Sequence, residues 1–82
     1  MDDLDLEYED LLTACIIELG GQLEEILAER GLEIPDLAKL AGLRVDTVHK
    51  VVRGIARDIP LSTLVKLALA LECNLDIRFS EA

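Results

Sequence analysis

The chain has 82 residues, of which 51% are hydrophobic and 30% charged, and its formal net charge is -9. A chain of this length forms one small domain with a modest core. Charged residues interrupt every long apolar stretch, which excludes a membrane span. The acidic start Met1-Asp2-Asp3 lacks the positive region of a signal peptide, so we expect a cytoplasmic protein.

The aliphatic content exceeds what a small helical domain can bury alone. We therefore expect part of it to be covered by a second copy of the chain in a homodimer, or by another partner. Cys15 and Cys73 fit a reducing compartment as buried thiols. Together with His49 they do not have the spacing of a metal site, so the sequence predicts no metal and no other cofactor.

Acidic and basic residues are separated along the chain. Residues 1–29 contain ten acids and no Lys or Arg, whereas five of the eight bases lie between Lys39 and Arg57, where Asp46 is the only acid. DNA affinity depends on the charge of the contacting face, so the net charge leaves DNA binding open. Acids in first helical turns also favour the helix dipole and keep an apolar protein soluble, so the charge pattern alone does not decide the function.

From Leu4 to Arg30 the apolar residues recur every three or four positions, which predicts amphipathic helical structure. Gly20-Gly21 interrupts this pattern at a cost of about 1 kcal/mol per glycine relative to alanine. We therefore expect an acidic N-terminal helix over residues 1–19 and a second helix up to Arg30, or one continuous helix with a kink. Gly31 is predicted to end it.

Two later helices are predicted to begin with the same chemistry. Glu33-Ile34-Pro35 and Asp58-Ile59-Pro60 each place an acid before a proline in a first helical turn. The first helix is expected to run to about Ala41 and stop at Gly42, and the second to cover residues 60–72. The apolar face of the second would comprise Leu61, Leu64, Val65, Leu67, Ala68 and Leu71.

Between these two helices, residues 45–53 predict a short helix closed by Gly54, with Val48 and either Val51 or Val52 pointing inward. The C-terminal tail, residues 75–79, alternates apolar and polar side chains, which is typical of a short strand but also allows a last helical turn. A lone strand needs a partner, so as a strand it would pair with its copy in a second subunit.

Residues 31–54 have the pattern of a helix-turn-helix, whose second helix fits the major groove of DNA. Over this stretch, without a gap, the chain resembles the Xre family, the phage-repressor and Cro type. The matching positions are Gly31, Leu32, Leu37, Ala38, Gly42, Thr47, Val48, Val51, Arg53 and Gly54. Residues 61–71 resemble the next helix of the family. The resemblance implies an all-α, lambda-repressor-like fold of about five helices, here with an extra N-terminal helix.

The chain departs from the family at the start of the first motif helix. There the family usually contacts a phosphate through a Ser cap and a Gln, but this chain has Glu33 and Ile34, neither of which can donate to a phosphate. The usual Ser cap of the recognition helix is Arg44, a poor N-cap but a candidate phosphate ligand. The family's usual phosphate contacts at the start of this helix are therefore not expected at Glu33 and Ile34.

The resemblance also implies which residues would contact DNA. The predicted set comprises Arg44, Val45, Asp46, Thr47, His49, Lys50, Arg53 and Arg57. Val45, Asp46 and Lys50 could contact a thymine methyl, cytosine N4 and guanine respectively, whereas the three arginines and Thr47 would hold phosphates. Each has a plainer alternative: Asp46 can favour the helix dipole, Arg53 can cap the helix, and His49 can be a solvated surface residue.

The sequence therefore predicts a transcriptional regulator that binds operator DNA as a dimer. Compact family members of this kind resemble antitoxins such as the HigA type, which repress their own operon and neutralise a toxin, so a basic protein is a second predicted partner. The predicted dimer or partner surface comprises Leu4, Tyr8, Leu11, Leu12, Ile77 and Phe79. The alternative is an acidic interaction module that kept the fold and lost DNA binding. No catalytic constellation is present in the sequence, so no enzyme is predicted.

Overall fold

The computed structural model describes residues 3–81, with side chains from Leu6 onward. In this part of the chain there are four helices and no strand. They are α1 (Asp3–Arg30), α2 (Ile34–Ala41), α3 (Val45–Val52) and α4 (Leu61–Ala70). The predicted all-α fold is confirmed. The predicted count of about five helices is wrong, because the two expected N-terminal helices are one.

Helix α1 continues through both glycines for 28 residues. At 1.5 Å per residue it is about 42 Å long, and the longest dimension of the molecule is 43 Å. A separate helix before Gly20 is therefore not formed. The helix-forming residues on both sides, together with the packing of Gly20 described next, outweigh the propensity cost of two glycines.

Gly20 allows α1 to pass very close to the C-terminal end of α3. A Cβ atom at this position would lie 2.6 Å from the carbonyl oxygen of Val52 and 2.9 Å from that of Val51, closer than real Cβ contacts come. The neighbouring Gly21 has open space around it. Only the first of the two glycines is thus required by packing, and it sets the distance between α1 and the second motif helix.

The turn between α2 and α3 has the geometry that its sequence predicts. Gly42 adopts the left-handed conformation with φ 68°, and the Leu43 N–H donates to the carbonyl oxygen of Ala38 at 2.9 Å. This bond closes the end of α2 as a glycine C-cap does. At the start of α2, the Glu33 N–H donates to the Asp36 carboxylate at 2.9 Å. Both ends of α2 are therefore determined by local residues.

The core lies where α3 packs against α1 and α2, and where α4 packs against α2. Its buried side chains are Leu27, Leu37, Ala38, Val48, Val51, Val52, Leu67 and Leu71. Both valines that were offered as alternatives for the inner face of α3 are buried. Because α3 is eight residues long and contributes three buried valines, it is held rigidly and presents its other side outward.

Helix α4 ends at Ala70, two residues before the predicted end, and Glu72 has a positive φ of 54°. The tail from Cys73 to Glu81 has no regular secondary structure, so neither the strand nor the last helical turn that was offered as its alternative is formed within the described chain. A strand needs backbone hydrogen bonds to a neighbour, and none of the four helices supplies them. Within the described residues, none of the helices has the length and apolar character needed to cross a bilayer.

Candidate nucleic-acid interface

The outer side of α3 forms a compact exposed arc. Because successive residues turn by about 100° around a helix, the three buried valines lie on one side and the exposed residues on the other. The exposed arc consists of Val45, Asp46, His49, Lys50 and the C-cap residue Arg53. It spans roughly 140° of the helix circumference. Five of the eight residues predicted to contact DNA are thus brought together on one surface.

Thr47 lies outside this exposed arc. It is half-buried and lines a recess of about 200 Å³ between α3 and the start of α4, together with Ala56, Ile59 and Thr63. Thr47 is therefore less exposed than the outward orientation that the family resemblance implies. Its position on α3 places it nearer to the buried valines than to His49.

Arg44 is exposed at the N-terminal end of α3 and makes no side-chain hydrogen bond to the helix backbone. Its backbone is extended, with φ -73° and ψ 144°, and its carbonyl oxygen accepts from the Val48 N–H at 3.2 Å. Arg44 therefore begins the helix through its backbone, and its side chain remains exposed at the N-terminal end of α3.

Three of the six bases of residues 30–57 are bound within the chain: Arg57, Lys50 and Arg30. Arg57 pairs with Glu9 at 2.5 Å and donates to the Thr13 hydroxyl at 3.2 Å, so it lies against α1. Lys50 pairs with Asp46 at 3.3 Å along the same helix.

Arg30 donates to the carbonyl oxygen of Leu71 at the end of α4. Among the described residues, the bases of residues 30–57 without an ion pair or such a bond are Lys39, Arg44 and Arg53. The positive charge available to a nucleic acid is therefore concentrated at the two ends of α3 and on α2.

The start of α2 has none of the phosphate-binding side chains that are usual in the resembling family. Glu33 is exposed, and Ile34 is half-buried and packs against the core. Both line a cleft of about 350 Å³ whose charged members are Glu24, Glu33 and Arg53. Two carboxylates face one guanidinium here, so Arg53 is the group in this cleft that could attract a phosphate.

The residues predicted as a dimer or partner surface fall into separate places. The side chain of Leu4 lies outside the described residues. Tyr8 and Leu11 are exposed on α1, and Ile77 and Phe79 are exposed on the tail. Leu12 is half-buried and lines a groove of about 590 Å³ between α1 and the segment that precedes α4, which includes Ile59. Leu12 is therefore partly covered by its own chain and only partly available to a partner.

Among the described residues, no cluster of His, Cys, Asp and Glu is arranged to hold a metal ion. Cys15 and Cys73 are free thiols, but Cys15 is exposed rather than buried as expected. The site is therefore a surface of side chains around α3, and its chemistry is that of hydrogen bonds and charge.

The sequence model of the Cro/C1-type HTH DNA-binding domain matches residues 22–76. The chain belongs to this family. The match confirms the resemblance to Xre-type proteins and supports a DNA-binding regulator. It covers α2, α3, α4 and the last part of α1, and it leaves the first 21 residues outside. Comparisons with curated proteins and with solved structures gave no match.

Two features of the site in this Cro/C1-type domain were not predicted from the sequence. One is the contact of Gly20 with the carbonyl end of α3, and the other is the capture of Arg57 by Glu9 and Thr13. Glu9 and Arg57 are 48 positions apart. Glu9 and Thr13 occupy adjacent turns of α1, so they lie on one face, but nothing local identifies the arginine that they meet.

Proposed function

We propose that the protein is a transcriptional regulator that binds operator DNA as a symmetric dimer, with α3 of each copy in the major groove. The exposed arc of α3, supported by three buried valines, is the observation on which this proposal depends. At 1.5 Å per residue, α3 is about 12 Å long, comparable to the major groove width of about 12 Å. The two copies of α3 would lie about 34 Å apart on a partly palindromic site.

Within the exposed arc, we assign base contacts to Val45, Asp46 and Lys50. Lys50 would donate to guanine O6 or N7, Asp46 would accept from cytosine N4, and Val45 would contact a thymine methyl. His49 lies on the same arc and completes the surface that enters the groove. Both side chains of the Asp46–Lys50 ion pair are exposed to solvent. Such a pair contributes only about 0.2–0.5 kcal/mol, so base edges can replace it.

Phosphate contacts are assigned to Arg44 and Arg53 at the two ends of α3. Both guanidinium groups are exposed and neither has an ion pair in the described part of the chain. Arg57 could contact a phosphate only if its ion pair with Glu9 broke. Thr47 could do so only if its side chain moved out of the recess between α3 and α4. Phosphate binding would thus rest on fewer cations than the six that residues 30–57 contain, which predicts modest non-specific affinity.

A second role is proposed for the part of α1 that precedes the family match. This part carries six of the 17 acidic residues of the chain and no lysine or arginine, and it exposes Tyr8 and Leu11. An acidic surface with exposed apolar side chains suits a basic protein. The toxin of a toxin–antitoxin pair would be such a partner, and repression of a shared operon would then be the function of α3.

The test begins with selection of binding sites from random duplex DNA, followed by fluorescence anisotropy across a salt series. Replacing Lys50 with alanine should weaken binding by roughly 5- to 150-fold and relax the preference at one base pair. Arg53→Ala should weaken binding to all sequences and reduce the slope of log affinity against log salt by about 0.9. Lys66→Ala is the matched control, since it removes an exposed lysine of α4, away from the exposed arc.

A second candidate function is protein binding by a domain that no longer binds DNA. Glu33 and Ile34 at the start of α2 favour it, because they cannot donate to a phosphate. If no specific duplex is selected even at low salt, the regulator proposal is wrong and this candidate replaces it. The double variant Glu33→Ser with Ile34→Gln then tests whether these two residues cause the loss of DNA binding. If they do, the variant should restore phosphate binding at the start of α2.

A further inference from the structure

Helix α4 is apolar on two sides, and the folded chain buries only one of them. Leu67 and Leu71 are buried in the core, whereas Leu61, Val65 and Leu69 are 59%, 41% and 72% exposed. The three exposed residues are spaced by four, so they form one row along the helix. Contiguous exposed apolar side chains on a small domain typically mark an interaction surface, so this row points to a missing neighbour.

The tail continues this exposed row beyond the end of α4. A groove of about 570 Å³ runs between the row and residues 73–77, with Ala68 and Leu75 in its lining. Ile77 stands at its far end and is 61% exposed. The row of α4 and Ile77 together are called the α4 face. Its lining is mostly apolar, with Asn74 and Asp76 as the polar members, and the groove has room for side chains from another helix.

A second exposed apolar stripe lies on α1 and has a different charge environment. Tyr8 and Leu11 are 62% and 68% exposed, and Cys15 follows them on the same side of the helix. Glu7 and Glu18 lie beside this stripe, at helical positions next to Leu11. No lysine or arginine occurs in residues 1–29. Two copies meeting through this stripe would bring carboxylates together, and like charges across an interface oppose binding.

The α4 face carries a smaller penalty of this kind. The only charged residue in α4 is Lys66, and it lies off the exposed row. A chain with a net charge of -9 can approach its own copy best through this surface, because the acid that lines its groove, Asp76, is paired with Arg78 at 3.0 Å. We infer that the α4 face binds a second copy of the chain and forms the two-fold interface of the dimer, while the acidic stripe of α1 stays available to a basic partner.

The geometry of the row suits a self-complementary contact. Leu61, Val65 and Leu69 form a ridge of residues four apart, and two such ridges interdigitate when helices cross at about -50°. A two-fold axis through this crossing makes the same patch serve both copies, as isologous interfaces require. This inference deepens the dimer of the proposed function. The inferred dimer interface lies on α4 rather than on the α1 residues expected from sequence. Ile77, which was also expected from sequence, remains part of this interface.

The test compares two leucines that are almost equally exposed on the two surfaces, using the full chain. Leu69→Glu places a carboxylate on the α4 face, and Leu11→Glu places one on the α1 stripe. Molar mass is measured by sedimentation equilibrium and by light scattering. The wild type should be a dimer. Leu69→Glu should weaken dimerisation by roughly 100-fold or more, because a carboxylate would be buried. Leu11→Glu should leave dimerisation unchanged.

Both variants should keep their helical circular dichroism, since neither leucine belongs to the core. Should Leu69→Glu fail to fold, Leu61→Glu provides the same test from the other end of the row. A monomeric wild type overturns the inference, and so does dissociation of the Leu11 variant or a Leu69 variant that remains dimeric. A wild-type dimer that dissociates only on α4 substitution but binds no DNA would overturn the proposed function and leave this interface standing.

Discussion

The two adjacent glycines of α1 should respond in opposite directions to the same substitution. At Gly20, an added Cβ would lie 2.6 Å from the carbonyl oxygen of Val52, which is 0.8 Å closer than the 3.4 Å at which ordinary contact begins. A second carbonyl oxygen, that of Val51, lies 2.9 Å from the same point. Both obstructing atoms belong to the backbone, so no side chain can turn aside. Gly20→Ala must push α1 away from α3.

The magnitude follows from two opposing effects. Overpacking of a core typically costs about 1–3 kcal/mol, and an obstruction by backbone places Gly20→Ala near the upper end. Alanine recovers about 1 kcal/mol through its greater helix propensity. The expected net loss in the free energy of unfolding is therefore about 2 kcal/mol. Gly21→Ala meets nothing within 4 Å, so it should gain up to about 1 kcal/mol.

Thermal unfolding followed by far-UV circular dichroism measures both variants at one protein concentration. For a domain of this size, 1 kcal/mol corresponds to about 4–8 °C. Gly20→Ala should therefore lower Tm by roughly 8–16 °C and Gly21→Ala should raise it by roughly 4–8 °C. Equal shifts, or stabilisation by both substitutions, would show that α1 does not approach α3 as closely as described.

Two further substitutions probe the acidic helix and the turn of the motif. Glu9→Gln should free Arg57 for phosphate, which raises DNA affinity and steepens the salt dependence by about 0.9 in log–log slope. Its effect on the free energy of unfolding should stay below about 1 kcal/mol, because the pair is exposed. Glu18→Gln removes the same charge elsewhere on α1, and equal behaviour of the two variants would contradict the prediction. Gly42→Ala should lower the free energy of unfolding, measured with urea, by about 1–2 kcal/mol, because φ at this position is 68°. A Cβ at Gly42 would meet nothing within 4 Å, so the loss would come from the backbone conformation alone. Unchanged stability would contradict this prediction.

The helix-turn-helix could be predicted from sequence because its boundaries depend on residues a few positions apart. Gly31, Gly42 and Gly54 all have φ between 64° and 73°, a region that glycine reaches without strain. The acid before α2, the proline in its first turn and the valines spaced along α3 act within one or two helical turns. These signals predicted α2, α3 and the inner face of α3 correctly.

The same local reasoning was misleading for α1. Gly20-Gly21 resembles a helix break when only helix propensity is considered, but the helix continues through both residues. Its continuity was offered only as an alternative, because the benefit of Gly20 comes from the neighbouring α3. A contact between backbones far apart in sequence leaves no periodic pattern, so it could not be weighed against the cost of two glycines.

The partners of the arginines also depended on tertiary structure. Arg57 was grouped with the DNA-contacting bases, whereas the fold places it against Glu9, and Arg30 reaches the carbonyl oxygen of Leu71, 41 positions away. The charge pattern along the chain was visible in the sequence. Which charges remain available on the surface depends on where α1 and α4 pack.

The sequence by itself determined that this chain forms short capped helices and a motif of the Cro/C1 type, since caps, turns and periodicity are properties of neighbouring residues. The tertiary structure alone decided which side of α4 is buried, because Leu61, Val65 and Leu69 are as apolar as Leu67 and Leu71. Burial depends on where the other helices lie. Two equally apolar sides of one helix cannot be distinguished until those helices have packed against one of them.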